Sequence, residues 1–477
     1  MKKSFLLLLP AALTLASCVD TLDKYSIDTK KTSTAPGTAL IANAERSLAR
    51  INVTANTNEG SFRYFVQYWA ATDYPRESLY DINTRAINES VWTRHYRDVL
   101  ADLKEGERNI TANIQLEPIQ KANQLACGEV LQIYAWANLV DTFGDVPYSQ
   151  ALDISNPQPK YDDDKAIYSD LIARLDVAIG KMTTTSPGLG SSDLINGGNM
   201  GLWKKFANSL KLRMAMVIAD DSPTTARTMA EAAVASGVLT SNADVIDLSF
   251  ATNPNANPLW EDLVQSGRAD FVGTDVFIDR LNSLSDPRLP SFFKLAAGGT
   301  TYIGGTYGTT NAYDDYSAPG TRLETPSLPA VFMSYAYVQF LLADAASRGF
   351  SVGGTTASFY NAGVTASIAE WGGTAAAAAA YLARPDVTFA TAIGTTDKAK
   401  IGNQEWIALY NQPFDAYREW RRLDAPQLIK PTAAISDIPL RLPYPVVEQN
   451  VNGASYATAT AAIGGDRVTT KIFWDKF

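Results

Sequence analysis

The chain has 477 residues and a formal net charge of −9, with a sequence pI near 4.9, an acidic balance that argues against a broad electrostatic footprint for nucleic acid or anionic lipid. Aromatic residues make up 10% and charged residues 19%, the latter below the roughly 25% of an average soluble protein, which excludes disorder as a description of the whole. One histidine and two cysteines exclude a zinc site built from several such ligands.

The first segment reads as an address. A basic start at Lys2 and Lys3 leads into an apolar run from Phe5 to Leu15, and Leu15-Ala16-Ser17-Cys18 follows where cleavage is expected. Those four residues resemble the bacterial lipoprotein box, in which the cysteine thiol is lipidated and the chain is cut just before it. The sequence therefore predicts a signal peptide over 1–17, a polar lipidated tether over 18–36 beginning at Cys18, and a single body over 37–477. Stable attachment needs more than one acyl chain, which a lipoprotein's modified N-terminus supplies. No later apolar stretch approaches the roughly 20 residues of a membrane span.

The body reads as helices. Amphipathic periodicity predicts them over 38–52, 88–110, 119–143, 165–182, 200–219, 224–236, 273–284, 329–347, 356–371 and 398–424. Cys127, left without a partner, falls on the strongly periodic third helix, where a free thiol packs as a small hydrophobe. That helix ends at Phe143-Gly144-Asp145-Val146-Pro147, because Gly144 suits a left-handed cap and Pro147 cannot extend a helix. Asp162, Asp163 and Asp164 precede the next one, and capping of free amides explains them better than a metal site. Several helices form neighbouring pairs, 88–110 with 117–143 and 165–182 with 200–219, without a clean 34-residue repeat. Between them, 183–199, 238–272, 295–328 and 425–470 read as long irregular stretches, the kind that carries function in a compact domain.

The C-terminal quarter holds the sharpest pattern. Glu405-Trp406 is followed by the run Phe414, Asp415, Ala416, Tyr417, Arg418, Glu419, Trp420, Arg421, Arg422, then by Ile438 to Pro445, Glu448, Asn450, Asn452 and finally Phe473-Trp474-Asp475. With Cys18, the Asp141 to Ser149 turn and Asp286-Pro287-Arg288-Leu289, this set resembles the SusD/RagB family, in its SusD-like branch of nutrient-binding outer-membrane lipoproteins. The resemblance implies a mainly α fold of tetratricopeptide-like helix pairs with long irregular loops. It also implies a surface-exposed, lipid-anchored protein of the outer membrane that binds a glycan or peptide and delivers it to a SusC-like TonB-dependent transporter. Arg418, Arg421 and Arg422 with Asp415, Glu419 and Asp424 read as a structural charged helix face, their guanidinium groups able to tie loop 439–445 to the body.

Positive signs of catalysis are missing. Ser291-x-x-Lys294 is a match of the frequency expected by chance, and no Gly-x-Ser-x-Gly, phosphate loop or His-Glu-x-x-His occurs. His95 lies on a predicted helix and reads as an ordinary, partly exposed residue. The sequence thus predicts a binder without metal or cofactor, with a surface glycoside hydrolase or esterase as the alternative. Sugar or peptide capture needs flat apolar faces with polar tips, and three stretches offer them. The first runs from Tyr64 to Trp92, with Trp69, Tyr74, Tyr80 and Asn83. The second runs from Asn253 to Trp260. The third is a Gly/Tyr loop with Tyr302, Tyr307, Tyr313 and Tyr316, whose Asp314 and Asp315 lack the ordered spacing of a calcium site. Within the first stretch, Trp69 and Trp92 suit core packing better than ligand contact.

Overall fold

The computed structural model describes residues 35–476 apart from Thr57; the predicted signal peptide, Cys18 and the tether through residue 34 lie outside the described residues. Helix α1 (Gly37–Val53) lies against α2, which runs on through Ile87–Thr93, a π-helical stretch Arg94–Leu100 and Ala101–Ala112. The two approach closely at Gly37, where a Cβ would sit 2.5 Å from the Gly106 carbonyl. Helix α3 (Pro118–Phe143) opens on a proline at its first turn and has every residue from Val130 to Phe143 buried, so it is the central helix. Gly144 at φ 78° ends it. Cys127 is buried as expected, its thiol 3.7 Å from the Met200 sulfur.

Next come α4 (Asp164–Lys181), α5 (Met200–Val217) and α6 (Pro223–Ser236). Asp163 caps α4 by accepting the Ala166 N–H at 2.8 Å, the role the sequence assigned to it. Asn199 caps α5 in the same way. Helix α3 packs on both α2 and α4, and α5 packs on α4 and α6, so the predicted helix pairs are present. The second half carries α7 (Asp275–Ser283), α8 (Tyr335–Ser347), α9 (Thr356–Glu370), α10 (Ala375–Leu382), α11 (Asp397–Ala408), α12 (Pro413–Leu423) and α13 (Gly453–Ala462). Three two-stranded antiparallel pieces complete the described fold: β1 (Trp69–Ala71) with β5 (Phe271–Gly273), β2 (Val146–Pro147) with β3 (Tyr161–Asp162), and β4 (Ile246–Leu248) with β6 (Ala330–Met333). None of the described helices is long and apolar enough to cross a membrane.

Three expectations change. The helix predicted over 398–424 is two helices, because Pro413 has no N–H to continue the ladder and instead opens α12. The helix predicted from 329 begins at Tyr335; residues 330–333 are spent on pairing with β4, and the Ser334 hydroxyl then caps the helix by accepting the Tyr337 N–H. The stretch 425–470 holds a short helix, Val446–Val451, and α13, whose Ala, Thr and Gly content hides any apolar stripe.

The charged cluster of α12 is structural, as expected, but it is a buried knot and not a surface face. Arg418 has no exposed side chain; its guanidinium donates to Asp141 at 2.5 Å, Asp415 at 2.6 Å and Asn138 at 3.0 Å. Arg422 bonds Asp344 and Glu419, and Arg421 donates to the Leu440 carbonyl at 2.9 Å, tying the 439–445 loop to the body. Asp141 also accepts from Tyr168 and from Trp474 near the C-terminus. Side chains from α4, α12 and the segment near the C-terminus therefore meet on one carboxylate at the close of α3.

Candidate functional site

The aromatic stretch after α1 folds into a short helix (Phe62–Phe65) and then β1, which pairs with β5 so that Trp69 faces Gly273 and Ala71 faces Phe271. The register demands a glycine at 273, where a Cβ would lie 2.5 Å from Phe293 and Ile278. Trp69 is fully buried; its indole N–H donates to the Tyr410 hydroxyl at 2.8 Å and the Arg63 guanidinium lies 4.7 Å from its ring. Its ring packs on Phe271, which packs in turn on Tyr64. On this floor opens a pocket of about 390 Å³, with Tyr64, Ala71 and Phe271 below and Asn56, Asn58, Asp73, Tyr74, Glu77, Arg85, Asp262, Arg268 and Asp270 around it. Tyr74 is 66% exposed, an open aromatic face beside the pocket's polar groups.

The three predicted stretches contribute unequally here: the first supplies Tyr74 to the lining, the third anchors β1 behind it, and no residue of the second lines the pocket. From the third, the Tyr307 hydroxyl donates to the Tyr64 carbonyl at 2.6 Å and Asn311 donates to the carbonyls of Ala71 and Thr72, locking the Gly/Tyr loop to β1. Gln67, at φ 59°, holds the 425–438 loop by bonds to both the carbonyl and the amide of Ile429. Of the candidate ligand residues, Tyr74 lines the pocket. Trp69, Tyr80 and Tyr307 are buried beneath or beside it, so their work is to hold the floor. Asn83 is exposed and Trp260 half-buried, and neither lines the pocket. Tyr302, Tyr313 and Tyr316 are half-buried at the other end of their loop, where the Tyr302 carbonyl accepts from Asn282. The asparagines of the second stretch are anchors: Asn257 caps the turn Pro258–Trp260 and donates to the Leu328 carbonyl, and Asn255 accepts from Arg46. What that stretch gives the pocket is Asp262, two residues past its end.

Sequence reading missed the pocket's charged rim, because isolated acids and arginines in irregular chain carry no periodic signal. The rim's two guanidinium groups are committed. Arg268 bonds Asp270 with both arms, at 2.5 and 2.9 Å. Arg85 bonds Glu77 at 2.8 Å and Asn58 at 3.2 Å. Asp73 and Asp262 are left without an ion pair among the described residues. Burial, reinforced by Glu59 and Glu261, pushes the Asp262 carboxyl up to about 7.

Elsewhere the geometry is less suited to a ligand of this kind. A larger cleft of about 1090 Å³ opens between the second half of α2 and the 147–159 loop. Trp92 and Tyr96 stand among its alanine, proline and leucine walls, with Ile154 wholly exposed, but Trp92 is buried, the Tyr96 hydroxyl is spent on the Pro147 carbonyl, Lys104 donates to the Ala151 and Leu152 carbonyls, Arg108 bonds Glu105 and Glu448 accepts from Tyr161. His95 is fully buried, contrary to the partly exposed residue expected. Its Nδ1 is 2.8 Å from the Val91 carbonyl and burial lowers its pKa to about 4, so it is a neutral packing residue. The carboxylates of Asp145, Asp163 and Asp164 come within 4.8 Å of one another. Each accepts a backbone N–H, from Asp164, Ala166 and Phe473 respectively, which is a capping and strapping arrangement.

Against known proteins, residues 28–445 match the SusD-like family described as "Starch-binding associating with outer membrane". Among solved structures, a chitin-binding protein is 27% identical, with a TM-score of 0.79 over 92% of this chain and 100% of its own. A SusD homologue from Bacteroides ovatus is 25% identical, with a TM-score of 0.77 over 92% and 99%. A chitin-binding SusD homologue from Flavobacterium johnsoniae is 24% identical, with a TM-score of 0.78 over 92% and 98%. No curated protein sequence matches the chain.

Proposed function

We propose that this chain, which belongs to the SusD-like family, captures a neutral oligosaccharide in the pocket beside Tyr74. On this reading it hands the glycan to a SusC-like TonB-dependent transporter in the outer membrane. Residues 1–17 are the signal peptide, Cys18 carries the lipid, 18–36 are the tether and the remainder is the binding body. The protein binds and does not turn its ligand over.

One observation carries the reading: an exposed aromatic face stands over a preformed polar pocket whose guanidinium groups are already spent on the pocket's own carboxylates. A tyrosine face supplies apolar contact to a pyranose ring at little entropic cost, and asparagine and carboxylate groups take its hydroxyls. With both arginines committed, uronate or sulfate groups find no free guanidinium in the lining and meet the exposed Asp73 instead. The family description, which names starch binding and association with the outer membrane, and the chitin-binding protein at 27% identity both support a glycan over a peptide.

The test is calorimetric titration of the purified full-length protein with chito- and malto-oligosaccharides, uronate oligosaccharides and peptides, repeated with Tyr74→Ala. Saturable binding of a neutral oligosaccharide, weakened about tenfold or more in the variant, is expected. Saturation by a peptide alone, or an affinity untouched by Tyr74→Ala, would refute it. Co-purification with a transporter after mild detergent extraction tests the partner, and release of sugars from the bound oligosaccharide would move the reading to a hydrolase.

A further inference from the structure

A second, smaller cavity of about 250 Å³ lies where the β4–β6 pair meets the end of α9 and the start of α8. Asp247 enters from β4, at the register irregularity that follows Ile246, and Glu370 from the last turn of α9. Among the described residues neither carboxylate has a hydrogen bond or an ion pair. The nearby Arg322 places its guanidinium 5.0 Å over the Trp371 ring instead of on either acid. Burial pushes Asp247 up to about 6 and Glu370 up to about 7; the charge on Asp247 adds to the second shift and Arg322 opposes it.

Asn411, in the break between α11 and α12, supplies an independent sign of a ligand. The residue is 8% exposed and lines the cavity. Its Oδ1 accepts from Arg63 at 2.7 Å, whereas its amide N–H groups have no acceptor among the described residues and are not sealed from solvent. In so buried a residue the cavity is the open side. Two half-buried carboxylates without partners call for a cation. An unanswered amide donor calls for a hydroxyl or carbonyl oxygen. The alkyl walls of Val245, Leu328 and Val331 call for a carbon body. A bare metal ion meets none but the first of these, and two carboxylates beside a guanidinium are a poor cage for one.

We propose that this cavity binds a compact ammonium compound of monosaccharide size, an amino sugar, with its ammonium on Asp247 and Glu370 and a ring oxygen or hydroxyl on the Asn411 amide. The site is separate from the Tyr74 pocket and does not depend on what that pocket takes.

The test is titration of the full-length protein with glucosamine, glucose, N-acetylglucosamine and calcium, at pH 7 and pH 5. Glucosamine is expected to saturate at pH 7 and to bind at least tenfold more weakly at pH 5, where both carboxyls carry protons. Asp247→Asn and Glu370→Gln should each weaken it at least tenfold while leaving the thermal midpoint as high as that of the parent, since each removes a charge that had no partner. Tyr74→Ala should leave it unchanged. The proposal fails if glucosamine does not saturate, if glucose binds as well, if calcium takes the site, if neither carboxylate variant weakens binding, or if Tyr74→Ala abolishes it.

Discussion

The knot around Arg418 and the pocket beside Tyr74 use the same side chains to opposite ends. In the knot, carboxylates and guanidinium groups from α3, α8 and α12 are out of water and each has a specific partner. At the pocket, the arginines neutralise some acids and leave Asp73 and Asp262 without an ion pair among the described residues. A buried pair stabilises only in the sense that losing one member is costly, because the other is then stranded in a low dielectric. An exposed acid such as Asp73 costs little to keep and is free to meet a ligand. Charge in the first region is therefore architecture, and in the second it is left at the surface, where the proposed ligand would meet it. The sharpest way to break the comparison is Arg418→Met, which strands Asp141 and Asp415. A loss of about 3–5 kcal/mol is expected, read as a lower midpoint in urea, with glycan affinity unchanged in the fraction that remains folded.

Tyr74→Ala sharpens the same contrast from the other side. The ring is two-thirds exposed, so stability should move by less than about 0.5 kcal/mol. Affinity for the captured oligosaccharide should fall about tenfold, ~1.4 kcal/mol. Trp69, a few residues earlier and fully buried under the same pocket, reverses the pattern: truncation to alanine should cost about 3–5 kcal/mol of stability and lower affinity only because the floor is lost.

Titration separates the two kinds of acid further. Burial pushes Asp164 up to about 7 and Asp262 likewise, the latter with help from Glu59 and Glu261. Each holds a proton in the folded chain that the unfolded chain has released, so its contribution is full below the unfolded value near 4 and is lost as pH rises through 7. His95 acts in the opposite sense, since its lowered pKa of about 4 removes stability as pH falls from 6.5. Asp221, lowered to about 2 by its lysine partners against a burial penalty, matters only in stronger acid. Between pH 6.5 and 8 the raised carboxyls dominate and the thermal midpoint should decline. Asp164→Asn should flatten that decline by less than about 1 kcal/mol while keeping an acceptor for the Phe473 N–H.

Much of the helical frame was legible in the sequence because apolar residues recur with helical period and because Asp163, Gly144 and Pro147 mark ends by local chemistry. The residues that carry the family pattern have a physical connection in this chain: Asp141, Arg418 and Trp474 belong to one buried knot, so removing a member strands its partners. Sequence periodicity failed where chain direction was set by tertiary pairing, as at β6, or by a single missing N–H, as at Pro413. The pocket was legible only in outline. Aromatic stretches located its walls, but Trp69, Tyr80 and Tyr307 look no different in sequence from Tyr74, and only packing decides which rings face water. Asp73, Asp262, Arg268 and Asp270 gave no signal, since which charges pair and which stay without an ion pair is decided by packing and not by sequence spacing.

The smallest expected effect is the most discriminating. Arg268 and Asp270 form a bidentate pair at the pocket rim with both side chains partly in water, so Arg268→Gln should change stability by less than about 0.5 kcal/mol. It also releases Asp270 to join the exposed Asp73 beside Tyr74. A neutral oligosaccharide should then bind as before, while a partly deacetylated one, carrying ammonium groups, should gain about two- to threefold. The gain should vanish at high ionic strength, because exposed charges are screened beyond a Debye length of roughly 8 Å at 0.15 M salt. Removal of one arginine is thus expected to destabilise the protein at α12 and to improve binding of a cationic ligand at the rim. If Arg268→Gln instead lowered the melting midpoint as Arg418→Met does, the rim charges would belong to the architecture after all, and the division between the two regions would not hold.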